Sequence, residues 1–181
     1  MAKIALFLAD GFEEVEAVTP ADFLVRGGVE VITAGITARE VTGGHNISIM
    51  TDCLVADLPR DLDGVIIPGG MPGAENVAAS DTAMTIIKDL FQKGKLVAAI
   101  CAAPAVVLEK AGILVGKKAT CYPGFEKQFT QCIFSEDRVV IDGNLVTSRG
   151  PGTAAEFAIA LVEILAGKEK ALAIHQGTLQ K

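Results

Sequence analysis

Positive charge is scarce in this chain. Lys and Arg total 16 against 22 Asp and Glu, a formal net charge of −6, which argues against a nucleic-acid partner or an anionic membrane surface. Histidine is scarcer still: only His45 and His175 occur, so a Cys–His nucleophilic pair has few places to form. The cysteines, Cys53, Cys101, Cys121 and Cys132, include no C-x-x-C pair, and neither histidine lies near one in sequence. No metal site is therefore expected. Half of the residues are hydrophobic, so the chain needs no disulfides, and reduced thiols point to a cytoplasmic location. The longest apolar run, Leu96 to Leu108, contains Pro104 and is too short to span a bilayer. Asp10 brings acid too early for a signal peptide. Repeats, low-complexity stretches and linkers are absent, and residues 1–181 are expected to form one domain.

Strand and helix signals alternate along the chain. Buried strands are expected at Ile4–Ala9, Val29–Ala34, Gly64–Pro68 and Leu96–Ile100, with short β elements over 37–55 around Gly43–Gly44. Helices are expected from Glu13 to Arg26, from about Asp81 to Lys93, after Cys101 to near Gly112 and from Pro151 to about Ala166, and Lys168–Leu179 reads as a terminal helix or a tail. Arg138–Ile141 and Asn144–Ser148 flank Asp142–Gly143, a hairpin signal. Apolar strands alternating with helices predict a mostly parallel sheet covered on both faces, with ligands outside the carboxyl ends of the strands. Asp10–Glu16, Gly69–Gly70 and Cys101 all fall on that edge.

Cys101 follows a wholly apolar strand, is flanked by Ala99 and Ala103, and precedes a proline-opened helix. Such a strand-to-helix turn exposes its central side chain, and the helix N-terminus favours a thiolate. The competing reading is a buried, inert cysteine. Glu13 and Glu14 fit a capping role at a helix start. Glu16 shares a helix face with Phe12, Thr19 and Phe23 and is expected to turn inward. If Glu16 faces Cys101, two anions in contact would raise both pKa values, whereas a protonated Glu16 would donate a hydrogen bond to the thiolate and lower the thiol pKa. Gly69–Gly70 lacks dinucleotide or phosphate-loop spacing. It is either a tight turn or, with the Ala102 N–H, the donor pair of an oxyanion site. Arg149 is a surface residue, an anion ligand or a contact to a second subunit. His45 and His175 read as surface residues.

Four ordered segments together resemble the DJ-1/ThiJ/PfpI superfamily, in its DJ-1-like branch: Asp10–Glu16, Ile67–Ala74, Ala98–Pro104 and Thr147–Thr153. The resemblance implies a flavodoxin-like α/β three-layer sandwich, a homodimer, and no cofactor. Cys101 matches the family's reactive cysteine. Glu16 matches its protonated glutamate, and Gly70 and Ala102 match its backbone donors. The implied activity is glutathione-independent conversion of α-oxoaldehydes, or repair of early glycation adducts, in carbonyl and oxidative stress defence. Alternatives carried by the same resemblance are a non-enzymatic redox sensor or chaperone acting through Cys101, a thiamine-pathway enzyme, and an amidase or peptidase. One departure bears on the last: Tyr122 stands where many relatives place a histidine, and tyrosine cannot accept a proton as imidazole does. Cys121 beside it reads as a resolving thiol or as buried structure.

Overall fold

The computed structural model describes residues 1–180. The strands are β1 (Lys3–Leu8), β2 (Glu30–Gly35), β3 (Glu40–Thr42), β4 (Ser48–Met50), β5 (Cys53–Leu54), β6 (Gly64–Ile67), β7 (Leu96–Ile100), β8 (Lys118–Ala119), β9 (Ile133–Phe134), β10 (Val139–Asp142) and β11 (Leu145–Ser148). The helices are α1 (Glu14–Arg26), α2 (Gly73–Ala79), α3 (Asp81–Gln92), α4 (Glu109–Ala111), α5 (Ala154–Ala166) and α6 (Lys168–Gly177).

Seven strands form one sheet in the order β10-β11-β7-β6-β1-β2-β5. All neighbours run parallel except β10 and β11, which form the expected hairpin. The five central strands β2-β1-β6-β7-β11 reproduce the 2-1-3-4-5 order of flavodoxin-like folds. Strand side chains alternate between two cores, as the pleat requires. Ala5 and Phe7 of β1 pack under α2 and α3, whereas Ile4, Leu6 and Leu8 pack against α1, α5 and α6. Both faces are thus covered, which is why the strands are continuously apolar.

Chain order reverses on either side of β1, so a crevice opens where β1, β6 and β7 end. The Asp10–Glu13 turn, Gly69–Gly70 and Cys101 follow those three strands directly.

The structure departs from the expected elements in three places. The segment after Gly69–Gly70 is not only a loop: Gly73–Ala79 forms α2, whose small residues carry little apolar periodicity. The helix after Cys101 opens as a π-helical turn over Pro104–Leu108 before the short α4, which ends on Gly112 in the left-handed region. The two-residue strands β8 and β9 pair with each other, outside any sequence pattern of that length.

Candidate active site

Cys101 is the pivot of the crevice. Its φ of +66° places a residue bearing a β-carbon in the left-handed region, where the chain turns sharply and the side chain points out. Two hydrogen bonds fix the turn: the Cys101 amide donates to the Ser148 carbonyl at 2.9 Å, and the Cys101 carbonyl accepts from the Tyr122 amide at 2.8 Å. Cys101 is half-buried and touches both cores.

Glu16 arrives from α1 as its helix face predicts and is fully buried. Pro20 lies inside α1, one turn beyond it; lacking an N–H, it cannot donate to the Glu16 carbonyl. The Gly69 amide donates to Glu16 Oε2 at 2.8 Å, while Oε1 is buried without a hydrogen-bond partner. Gly69 must be glycine because of how closely these groups converge. A methyl group there would stand 2.6 Å from Cys101 Cβ, 2.8 Å from Glu16 Oε2 and 3.0 Å from Cys101 Sγ. Gly70 has φ +84°, and any side chain on it would collide with the backbone of Gly11, Phe12 and Glu13. Freed of side chains, this loop lets the Gly70 amide face the sulfur, together with the Ala102 amide.

The electrostatics correct one expectation. Burial pushes the Glu16 carboxyl up to about 7, against the pull of the Gly69 amide and Cys101. Burial, and then the charge of Glu16, push the Cys101 thiol up to about 12; the Gly70 and Ala102 amides only moderate this. The turn therefore does not leave a free-standing low-pKa thiolate. Desolvation outweighs what the two amides supply. The resting pair near neutral pH is a thiol beside a carboxyl group that titrates there.

Other expected residues fall elsewhere. Glu13 and Glu14 make no side-chain cap on α1. Glu14 is buried and accepts from the His45 amide at 2.7 Å and interacts with its Nδ1 at 2.8 Å, tying α1 to the β3–β4 hairpin. These contacts, with those from Ile47, hold its pKa down against burial. His45 itself is an exposed side chain. His175 lines a cleft of about 480 Å³ between α5 and α6, with Ile159, Glu163 and Leu179. Arg149 is half-buried and its charge is felt at Cys121. Cys121 is fully buried, and its thiol is pushed up to about 12 by desolvation. Tyr122 flanks the site: its amide anchors Cys101, and its ring lies against Gly150. Sequence reasoning missed the Glu14–His45 latch, whose partners are 31 residues apart.

No helix among the described residues is long and apolar enough to cross a membrane. The DJ-1/PfpI family profile matches residues 2–164. Protein DJ-1 homolog B of Arabidopsis thaliana is 40% identical over 98% of this chain, which spans 41% of that protein's length. The glutathione-independent glyoxalase DJR-1.2 of Caenorhabditis elegans is 37% identical over 93% of this chain and 91% of its own. The structure of oxidized Toxoplasma gondii DJ-1 superposes with a TM-score of 0.96 at 40% identity, covering 99% of this chain and 98% of that one. The chain belongs to the DJ-1/PfpI family.

Proposed function

We propose that the chain is a cysteine enzyme that converts small α-oxoaldehydes to 2-hydroxy acids and acts by the same chemistry on early glycation adducts, as a homodimer in the cytoplasm. The observation that carries this reading is the meeting of Cys101 Sγ and the Glu16 carboxyl beside Gly69, with two backbone amides turned to the sulfur. The Caenorhabditis relative named as a glutathione-independent glyoxalase supports it. Cys101 supplies from within the protein the thiol that glutathione would otherwise bring.

The steps balance without any redox partner. As sulfur bonds to the aldehyde carbon, ionised Glu16 takes the thiol proton and the carbonyl pair becomes an oxyanion beside the Gly70 and Ala102 amides. Glu16 returns that proton to the oxygen, giving a hemithioacetal. It next takes the proton from the former aldehyde carbon and delivers it to the ketone carbon, while the hydroxyl proton passes from the former aldehyde oxygen to the ketone oxygen, leaving the thioester of a 2-hydroxy acid. Water cleaves the thioester to the 2-hydroxy acid and restores the thiol. A carboxyl group titrating near 7 suits every proton transfer here.

Methylglyoxal consumption by Cys101→Ser should fall to background while its circular dichroism stays native. Wild-type kcat/KM should rise as pH passes about 7, where Glu16 becomes the base. Full turnover in Cys101→Ser would overturn the proposal.

A second reading rests on the half-buried Cys101 thiol and the two amides beside it. Two equivalents of peroxide would carry the thiol to a sulfinic acid, releasing two waters, and the amides would hold its oxygens. Mass spectrometry showing two oxygens added at Cys101, without turnover of any oxoaldehyde, would favour this sensor function.

A further inference from the structure

Tyr122 is the chain's only tyrosine, and the chain has no tryptophan. An apolar ring left 45% exposed beside a nucleophile needs a reason. The ring is held firmly. Its own amide donates to the Cys101 carbonyl at 2.8 Å. Phe125 meets it edge to face, with centroids 6.4 Å apart and planes at 77°. Gly150 lies beneath it: a methyl group there would stand 3.0 Å from Tyr122 Cδ2 and 3.4 Å from Cε2.

That same methyl position is 3.9 Å from Glu16 Oε1, the fully buried oxygen that has no hydrogen-bond partner. The two carboxylate oxygens thus face different ways. Oε2 is turned to Gly69 and the sulfur, whereas Oε1 is turned toward Gly150 and the aromatic ring. Oε1 is covered, so a substrate bonded to Cys101 exchanges its proton with Oε2, and its substituent lies on the side where the Tyr122 ring stands over Gly150.

We propose that Tyr122 is a specificity-determining residue, forming an aromatic wall that selects α-oxoaldehydes with an aryl substituent on the ketone carbon. This deepens the oxoaldehyde reading and rests on it. A methyl substituent makes little use of such a wall. An aryl group stacks on the ring or meets its edge and gains the preference of aromatic pairs beyond simple burial. Tyr122 touches the substituent and not the reacting atoms, so it acts on the choice of substrate.

The test is the ratio of kcat/KM for phenylglyoxal to that for methylglyoxal, which cancels their intrinsic reactivities when variants are compared. Replacing the ring by Tyr122→Ala should lower that ratio about tenfold, and Tyr122→Phe should hold it within about twofold. A ratio unchanged in Tyr122→Ala, including equal loss on both aldehydes, overturns the inference and leaves the oxoaldehyde reading intact. A wild type that consumes neither aldehyde overturns both. Where Tyr122→Ala does not fold, Tyr122→Leu takes its place, and the wild type offers a direct readout because, with no tryptophan, all of its tyrosine emission comes from Tyr122. The aryl product mandelate should quench that emission saturably and lactate should not; identical responses to the two acids would refute the aromatic wall.

Discussion

Replacing Glu16 by glutamine should stabilise the protein in a pH-dependent way. The carboxyl group is fully buried, one oxygen receives the Gly69 amide, and the other receives nothing. Burial raises its pKa from 4.5 to about 7. At about 1.4 kcal/mol for each tenfold change in proton affinity, this corresponds to roughly 3 kcal/mol. Between 4.5 and 7 the folded state keeps a proton that the unfolded chain has released, so stability falls as pH rises through that window. The cost is absent below 4.5 and complete above 7. Glutamine keeps the shape and an oxygen for the Gly69 amide but never ionises. The variant's stability relative to wild type should therefore climb by about 3 kcal/mol between pH 4.5 and about pH 8. Asp61, Asp63, Asp137, Asp142 and Glu14, whose pKa values are lowered, make both proteins lose stability in acid and cancel in the comparison. The Cys101 thiol, pushed up to about 12, acts only in more alkaline solution. Urea unfolding of both proteins across this range, at one protein concentration and with equal m-values, provides the measurement. A difference that is flat with pH, or that shrinks as pH rises, would refute the buried-carboxyl account.

Two further outcomes follow from particular residues. The left-handed φ of Cys101 costs a β-carbon-bearing residue about 1–2 kcal/mol, so Cys101→Gly should exceed Cys101→Ala in stability by about 1 kcal/mol; equal unfolding midpoints would remove the strain. Val15, Val18 and Val25 form an exposed apolar stripe on α1, which we propose as part of the homodimer face. Val18→Asp should then sediment as a monomer where the wild type sediments as a dimer, and a monomeric wild type would sink the idea.

The sequence announces the site more clearly than it announces the state of its proton. Apolar strands separated by helices predict the sheet, and the sheet's parallel order places the ends of β1, β6 and β7 together. The spacing of Glu16 and Phe23 along α1 turns the carboxyl inward, as observed, although Phe12, expected on the same helix face, lies before the helix starts. What stayed hidden depends on distance or on magnitude. The attachment of Glu14 to His45 joins residues far apart in the chain. α2 is built of residues too small to carry a hydrophobic period. The thiol was expected to be acidic because a helix N-terminus favours anions. That sign is right for the two amides, but local pattern carries no measure of desolvation, which dominates at Cys101.

The same desolvation explains how the proposed chemistry proceeds with no histidine in the crevice. His45 is engaged by Glu14, His175 lines the α5–α6 cleft, and Tyr122 fills the flank of the nucleophile. A base for reaction near neutral pH needs a pKa near neutral pH. Imidazole has that value in water; a carboxyl group reaches it only by burial. Glu16 reaches about 7 because its surroundings withhold water and leave Oε1 unpartnered. The destabilisation measured by Glu16→Gln and the basicity used in the proton transfers are then one quantity. A variant that hydrates Glu16 should gain stability above pH 7 and lose kcat together, and recovery of one without loss of the other would separate the buried carboxyl from the catalytic base.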